Sequence, residues 1–358
     1  MMIGEEIRRR CAIALLALML DFALGDPPNQ LHPVSLMGHW LKLGERLAPA
    51  TPLARLAWGG GWLYGGWWLV GRVASRLPHH LLVQGACVSL LLAYRGLDRA
   101  VAGVEQALRT GDLAEARRLL GWHLVSRPTA DLSAAEVAGA AIESLAENLS
   151  DSIIAPLLAF LVGGLPALAI YRLTNTADAM WGYRTERYEY LGKIAARCDD
   201  TFNLVPARLT AMLLALATHL INGRGWHAWQ TAVRDARHTA SPNAGWPMAA
   251  MAGALDTVLT KRDHYVLGDG SRIPDAVMIG QARRIVQVAM AIVVSGLWIG
   301  ILTGAGGQHA TLRGWRDDGN LTHNSSLQRE NYLQFPPPAG ESPSIPPPSR
   351  GRLGGGRD

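Results

Sequence analysis

Between Ile153 and Tyr171 the chain carries no charged side chain, yet both ends of that stretch are crowded with carboxylates and amides. This juxtaposition limits the fold more than any other feature. An uncharged run of such length fills a large core or enters a bilayer, and ionisable groups set against its ends are costly unless they serve a function. Upstream, Glu143, Glu147 and Asp151 stand at i, i+4 and i+8, so a helix puts all three on one face. Like charges stacked in this way repel unless a cation or ligand separates them, and no Lys or Arg lies between residues 136 and 151.

The apolar stretch is interrupted by Gly163-Gly164-Leu165-Pro166. A break of this kind suits a re-entrant hairpin. Residues 152–173 are also long enough for a single crossing. A hairpin places Glu143, Glu147 and Asp151 beside Asn175 and Asp178; a straight crossing holds the two groups about 30 Å apart. The sequence is compatible with both.

A content of 49% hydrophobic and 18% charged residues leans towards a membrane protein. Further apolar runs at 58–73, 81–94, 205–221 and 285–303 extend the pattern. The fold class expected is therefore all-α: a polytopic helical membrane protein with helical cytoplasmic loops. Residues 95–135 read as such a loop, with capping patterns at Asp112/Glu115 and Ser133/Glu136. Arg8-Arg9-Arg10 before Cys11–Leu20 resembles a secretory signal, but Glu5, Glu6 and Asp21 favour a retained, membrane-entering helix. From Gln308 the composition turns to Pro, Gly, Ser and Arg. A membrane domain over 1–307 and a disordered tail over 308–358 follow.

The net charge of +5 is spread along the chain with no basic block interleaved with aromatics, which excludes a nucleic-acid footprint. Cys11, Cys87 and Cys198 form no C-x-x-C pair, which excludes a zinc ribbon or a disulfide framework. No Walker-type phosphate loop occurs. Other polar clusters remain: Asp21 to Pro27 with His32, Arg184 and Arg187 at phosphate-clamp spacing, the group Arg197, Asp199, Asp200, Asn203 and Arg208, and the rigid loop Ser241–Pro247. Arg127 in the loop 124–129 is either an anion ligand or a surface arginine.

Five motifs in this order resemble one family. They are DxxxGDP at Asp21–Pro27 with His32-Pro33-Val34, and ExxAENxxDxxxAP from Glu143 to Pro156. The others are NTxDxMxGY from Asn175 to Tyr183, ARxDD with NxxPAR between Ala196 and Arg208, and SPNAGWP from Ser241 to Pro247. Over about residues 15–303 the chain is similar to the adenosylcobinamide-phosphate synthases of cobalamin biosynthesis (CobD/CbiB). Pro128 and Met248 depart from the residues common there, Asp and Glu.

The resemblance implies a multi-pass enzyme of the bacterial cytoplasmic membrane that joins aminopropanol, or its phosphate, to adenosylcobyric acid as an amide, using ATP and Mg²⁺. Amide synthesis of this kind needs a metal site, expected at Glu143, Glu147 and Asp151, and cations on the phosphates. Catalytic roles are expected for Asp26, His32, Glu147 and Asp178. Substrate or phosphate contacts are expected from Arg184, Arg187, Arg208, Asn175, Asn243 and Trp246. Expected partners are the corrinoid, the amine, the lipid membrane and other enzymes of the pathway. Two readings compete: a transporter for a cation or corrinoid, and a non-catalytic membrane scaffold. A transporter would place ionisable groups at the bilayer midplane, whereas these sit at segment ends.

Overall fold

The computed structural model describes residues 2–25, 32–183, 185–262 and 264–305. Asp26, Arg184 and the tail from 308 to 358 lie outside the described residues. The chain is built from helices. The one sheet among the described residues pairs β1 (Leu259–Lys261) antiparallel with β2 (Tyr265–Leu267), Leu259 opposite Leu267. Four stretches are long and apolar enough to cross a membrane: Leu81–Arg109, Ala134–Trp181, Leu204–Asn222 and Ala276–Gly304. The protein is thus an all-α membrane protein, as its composition requires.

Helix α1 (Met2–Leu24) packs against α4 (Leu81–Ser89) and the last helix, α13 (Ala276–Ala305). Between them in sequence come α2 (Pro33–Arg46) and α3 (Pro52–Arg76), which lie against the central hairpin described below. The turn after Ser89 separates α4 from α5 (Tyr94–Arg109), so the first of the four stretches is divided. Asp21 of α1 accepts the Arg95 amide at 3.1 Å and so caps α5, where Ala93 has no side chain able to do it. Across α5 and α13, Arg283 reaches Asp98 at 2.8 Å and Glu105 at 2.9 Å.

The polar loops are helical as expected. Asp112 caps α6 (Leu113–His123), and Ser133 with Glu136 forms a reciprocal capping box on α7 (Ala134–Leu149). Helix α7 is buried on almost every side, which explains its run of Ala and Gly. It passes through a π turn at Ser150–Ile154 into α8 (Ala155–Trp181).

Helix α8 is broken at Gly164, with φ 69° and ψ −163°. Only glycine reaches this conformation without strain, and Pro166 starts the second arm with a φ already suited to a helix. The Tyr171 hydroxyl lies 3.0 Å from the Asp151 carbonyl oxygen. A straight helix would hold residues 151 and 171 about 30 Å apart. The chain therefore doubles back, and the hairpin alternative is the one the protein adopts. The break leaves carbonyls at the end of the first arm without helical partners. Arg10 of α1 donates to two of them, Leu161 at 3.0 Å and Val162 at 2.6 Å.

Gly164→Ala is expected to destabilise the purified protein by about 1–3 kcal/mol, because alanine pays the strain that glycine avoids. Thermal unfolding in detergent measures it. An unchanged midpoint would show that the reversal does not depend on this conformation.

Candidate functional site

The hairpin brings the two acidic groups together at its open end. On the α7 arm, Glu143 is buried and its Oε1 has no hydrogen-bond partner. Three residues from elsewhere in the chain converge on it: Tyr265 of β2, Lys261 of β1 and Arg127 from the loop before α7. Burial first, then the Glu143 and Glu147 carboxylates, pushes the Tyr265 phenol far above its ordinary range, and Arg127 opposes the shift. Glu147, one turn on, feels Lys261 on one side and Asp178 on the other.

Asp151 falls in the π turn. A π turn adds one residue to the helical circuit and is frequent at functional sites; here its carbonyl faces Tyr171 and the buried Arg172, whose Nη1 lies 3.5 Å away. The Tyr171 hydroxyl shares its single proton between that carbonyl and the side-chain oxygen of Asn203, 2.9 Å away.

Helix α9 (Lys193–Phe202) supplies Asp199. Asn175 donates to one of its oxygens at 3.3 Å and Asn203 to the other at 2.9 Å. Burial, then repulsion by Asp178, pushes the Asp199 carboxyl up to about 7, against the two amide hydrogen bonds that favour its ionised form. Amides rather than arginines hold this carboxylate, so it is oriented without an ion-pair partner.

A second arrangement joins α9 to α10 (Leu204–Asn222) and α12 (Gly245–Leu255). Asn243 donates to the Asp200 carbonyl at 2.7 Å and accepts from Arg208 at 3.2 Å. The Arg208 guanidinium sits 4.8 Å above the Trp246 ring. Stacking of this kind fixes the plane of the guanidinium without using all its donors.

With this geometry in place, comparisons with known proteins are informative. The family model described as CobD/Cbib protein matches residues 14–293. The chain belongs to that family. It is 44% identical over 272 residues to the cobalamin biosynthesis protein CobD of Brucella suis, covering 70% of this chain and 81% of that protein. It is 39% identical over 277 residues to CobD of Dehalococcoides mccartyi, covering 73% and 87%. To the cobalamin biosynthesis protein CbiB of Salmonella choleraesuis it is 37% identical over 285 residues, covering 76% and 88%. No solved structure matches.

In this CobD/CbiB chain, the residues expected from sequence fall into three groups. Glu143, Glu147, Asp151, Asn175 and Asp178 gather at the hairpin's open end. Arg208, Asn243 and Trp246 form the adjoining cluster. His32 and Arg187 have local partners instead. The His32 Nδ1 accepts the Val34 amide at 3.2 Å as the N-cap of α2. Arg187, largely exposed, is ion-paired with Glu45, which also accepts from Tyr188 at 2.9 Å. Among the described residues no three His, Cys, Asp or Glu side chains form a preformed metal cage.

Sequence reasoning passed over Tyr171, Arg172, Lys261 and Tyr265. Lys261 and Tyr265 stand on strands too short to show an alternating pattern. Arg172, a charge inside a membrane-grade helix, was the available signal.

Asp199 sets a pH dependence. Its folded-state value of about 7 exceeds the unfolded value of about 3.9. The native state therefore holds a proton that the unfolded chain releases, and stability falls as pH rises from roughly 4 to 7, then levels off. Asp199→Asn should remove this slope, worth on the order of 4 kcal/mol over the whole window. Unfolding midpoints of both proteins between pH 5 and 8 give the answer; parallel slopes would reject Asp199 as the origin.

Proposed function

We propose that this protein is a cobalamin-biosynthesis enzyme of the cytoplasmic membrane: an ATP-dependent ligase that joins aminopropanol, or its phosphate, to adenosylcobyric acid as an amide. The observation that carries the reading is the gathering of Glu147, Asp178 and Asp199 beside the Arg208, Asn243 and Trp246 cluster, in a chain of the CobD/CbiB family. A transporter or a scaffold has no need of that combination at a segment end.

A carboxylate resists attack by an amine, so it must first be activated. Its oxygen attacks the γ-phosphorus of ATP, the bond to the β-phosphate oxygen breaks, and ADP leaves. The amine nitrogen then attacks the acyl carbon, and phosphate departs as the C–O bond breaks, taking the second nitrogen proton to leave as HPO₄²⁻. One proton must leave the ammonium before attack. Since the His32 lone pair is engaged with the Val34 amide, Asp178 is the acceptor we assign. Arg208, held flat over Trp246, is placed to offset charge on a phosphoryl group.

The donor set also fits Mg²⁺. All candidates are hard oxygen ligands, and the buried Glu143 Oε1 lacks a partner. Mg²⁺ is usually held by one or two carboxylates together with substrate phosphates rather than by an all-protein cage. Glu143 and Glu147, one turn apart, would hold it, and it would neutralise charge on the ATP phosphates; Asp151, eight residues from Glu143 and so about 12 Å along the helix, is too far to share the ion with it. The chain's own part is to orient the carboxylates and exclude water around them.

Glu147→Gln keeps size and hydrogen bonding while removing the charge. It should lower amide formation at least a hundredfold, a loss of about 2.7 kcal/mol or more, without loss of folding. Mass spectrometry of the product from adenosylcobyric acid, Mg²⁺–ATP and each amine, with ADP measured alongside, tests both the reaction and the residue. Absence of ADP-coupled amide from well-folded wild-type protein would overturn the reading; wild-type turnover in the variant would exclude Glu147.

A further inference from the structure

A groove of about 360 Å³ lies between α2, α3, α4 and the second arm of α8. Its long wall is one face of α3, on which Gly66, Leu69, Val70, Val73, Ala74 and Leu77 follow at i, i+3, i+4, i+7, i+8 and i+11. A Cβ on Gly66 would strike Leu173, and one on Gly71 would touch Ile170. The helix and the arm therefore run antiparallel, and Leu77 falls at the level of Leu165, beside the Gly164 break. Gly66 and Leu77 stand eleven residues apart, about 16 Å along the helix.

No charged side chain lines the groove, and its walls are almost wholly apolar. Leu36, Leu69 and Val73 stay exposed along its opening. A polar ligand would give up water here without gaining partners, whereas hydrocarbon gives up nothing. The charges stand at one end only. Arg76, in the last turn of α3, continues the edge formed by Leu69 and Val73. Arg72 lies one turn before it, its guanidinium 5.8 Å from the ring of the exposed Trp68. Both arginines are exposed, and neither is ion-paired with a described residue. The sequence has no Asp or Glu between Arg46 and Asp98, so no carboxylate of α3 or α4 answers them.

We propose that this groove holds one acyl chain of an anionic phospholipid, with the lipid phosphate at Arg72 and Arg76. Length agrees: about 16 Å is the depth of one leaflet, half of a hydrocarbon core about 30 Å thick. A chain that enters beside Leu77 therefore reaches its end near Gly66 and Trp40. Charge agrees as well. Two unpaired cations and an exposed tryptophan at the mouth of an apolar track are what a bilayer interface with anionic headgroups favours. A second copy of the chain, or a partner helix, would cover the track and press two arginines without counter-charge against it. A phospholipid brings anion and hydrocarbon in the order the groove presents. Its chain also fills the space behind the second arm of the hairpin, the arm that carries Asn175 and Asp178, so binding is linked to the stability of that arm.

Native mass spectrometry of the full-length protein released from nanodiscs tests this, the discs holding equal amounts of palmitoyl-oleoyl phosphatidylglycerol and phosphatidylcholine. One lipid per chain should survive the activation that strips the others. It should be phosphatidylglycerol at least about fivefold over phosphatidylcholine, the effect of one arginine at a membrane surface. Arg72→Gln combined with Arg76→Gln, both on the exposed surface, should bring that ratio close to one. Ala74→Phe fills the groove from its wall and should abolish retention of either lipid. Equal retention of the two lipids by the wild-type protein, or an unchanged ratio in the double variant, would overturn the site. So would full retention by folded Ala74→Phe protein, no retained lipid at all, or a lipid-free dimer, which would give the groove to a second copy. If Ala74→Phe does not fold, the arginine pair decides alone. No turnover is measured, so the fate of the ligase reading leaves this result untouched.

Discussion

The reversal of α8 at Gly164 decides whether two acidic clusters share one site or stand a membrane's thickness apart. A glycine at φ 69° makes the turn, Pro166 restarts the helix, and Arg10 from α1 takes the carbonyls that the turn leaves exposed. Each part answers a specific cost. An open helix end with unsatisfied carbonyls is unfavourable in an apolar setting, and an arginine from a neighbouring helix removes that cost while tying α1 to the hairpin. The strong packing of α1 against α13 follows the same line, since Gly300 makes room for Cys11. The frame around the hairpin is thus made of close helix contacts through small residues.

Once the clusters share a site, the problem becomes one of like charge. Glu147, Asp178 and Asp199 repel one another through a poorly solvated interior. Pairing each with an arginine would remove the strain and also the reactivity. The protein instead uses neutral donors. Asn175 and Asn203 hold Asp199, and Tyr171 positions Asn203 against the π-turn carbonyl. Positive charge is supplied by Arg172, buried beside Asp151, and by Lys261, Arg127 and Arg208. Such a site is oriented yet electrostatically unfinished, the condition in which a cation or a cationic substrate gains most from binding.

Much of this was legible in the sequence where a local rule sufficed. The Ser133/Glu136 capping box, the single face of Glu143 and Glu147, and the Gly-Gly-x-Pro break are all short-range signals with a direct physical cause. The direction of the chain after the break was not, because the same glycines and proline suit a kinked crossing. The π turn was also hidden: it displaces Asp151 from an ideal i+8 position, and nothing in SDSII marks an added residue. The His-Pro-Val motif marks His32 and the i, i+3 spacing to Arg184 marks Arg187, while the fold gives them an N-cap and an ion pair to Glu45. Residue type says what a side chain can do; only the tertiary partner says which of those things it does. Lys261 and Tyr265 show the converse, since they reach Glu143 from more than a hundred residues away on a hairpin with no strong strand pattern.

The glycines of α3 connect these two levels. Gly59 and Gly60 carry no chemistry, yet without them the Leu191 carbonyl and the Ile194 side chain could not approach α3. Gly192 does the same against Trp181 from the other side. Together they clamp the start of α9 between α3 and the end of α8, so the helix that carries Asp199 and Asp200 cannot swing relative to the helix that carries Asp178. A site made of mutually repelling carboxylates would otherwise relax by moving apart. Close backbone contact through glycine is what converts that repulsion from a cause of motion into a fixed local field, available to whatever positive charge enters the site.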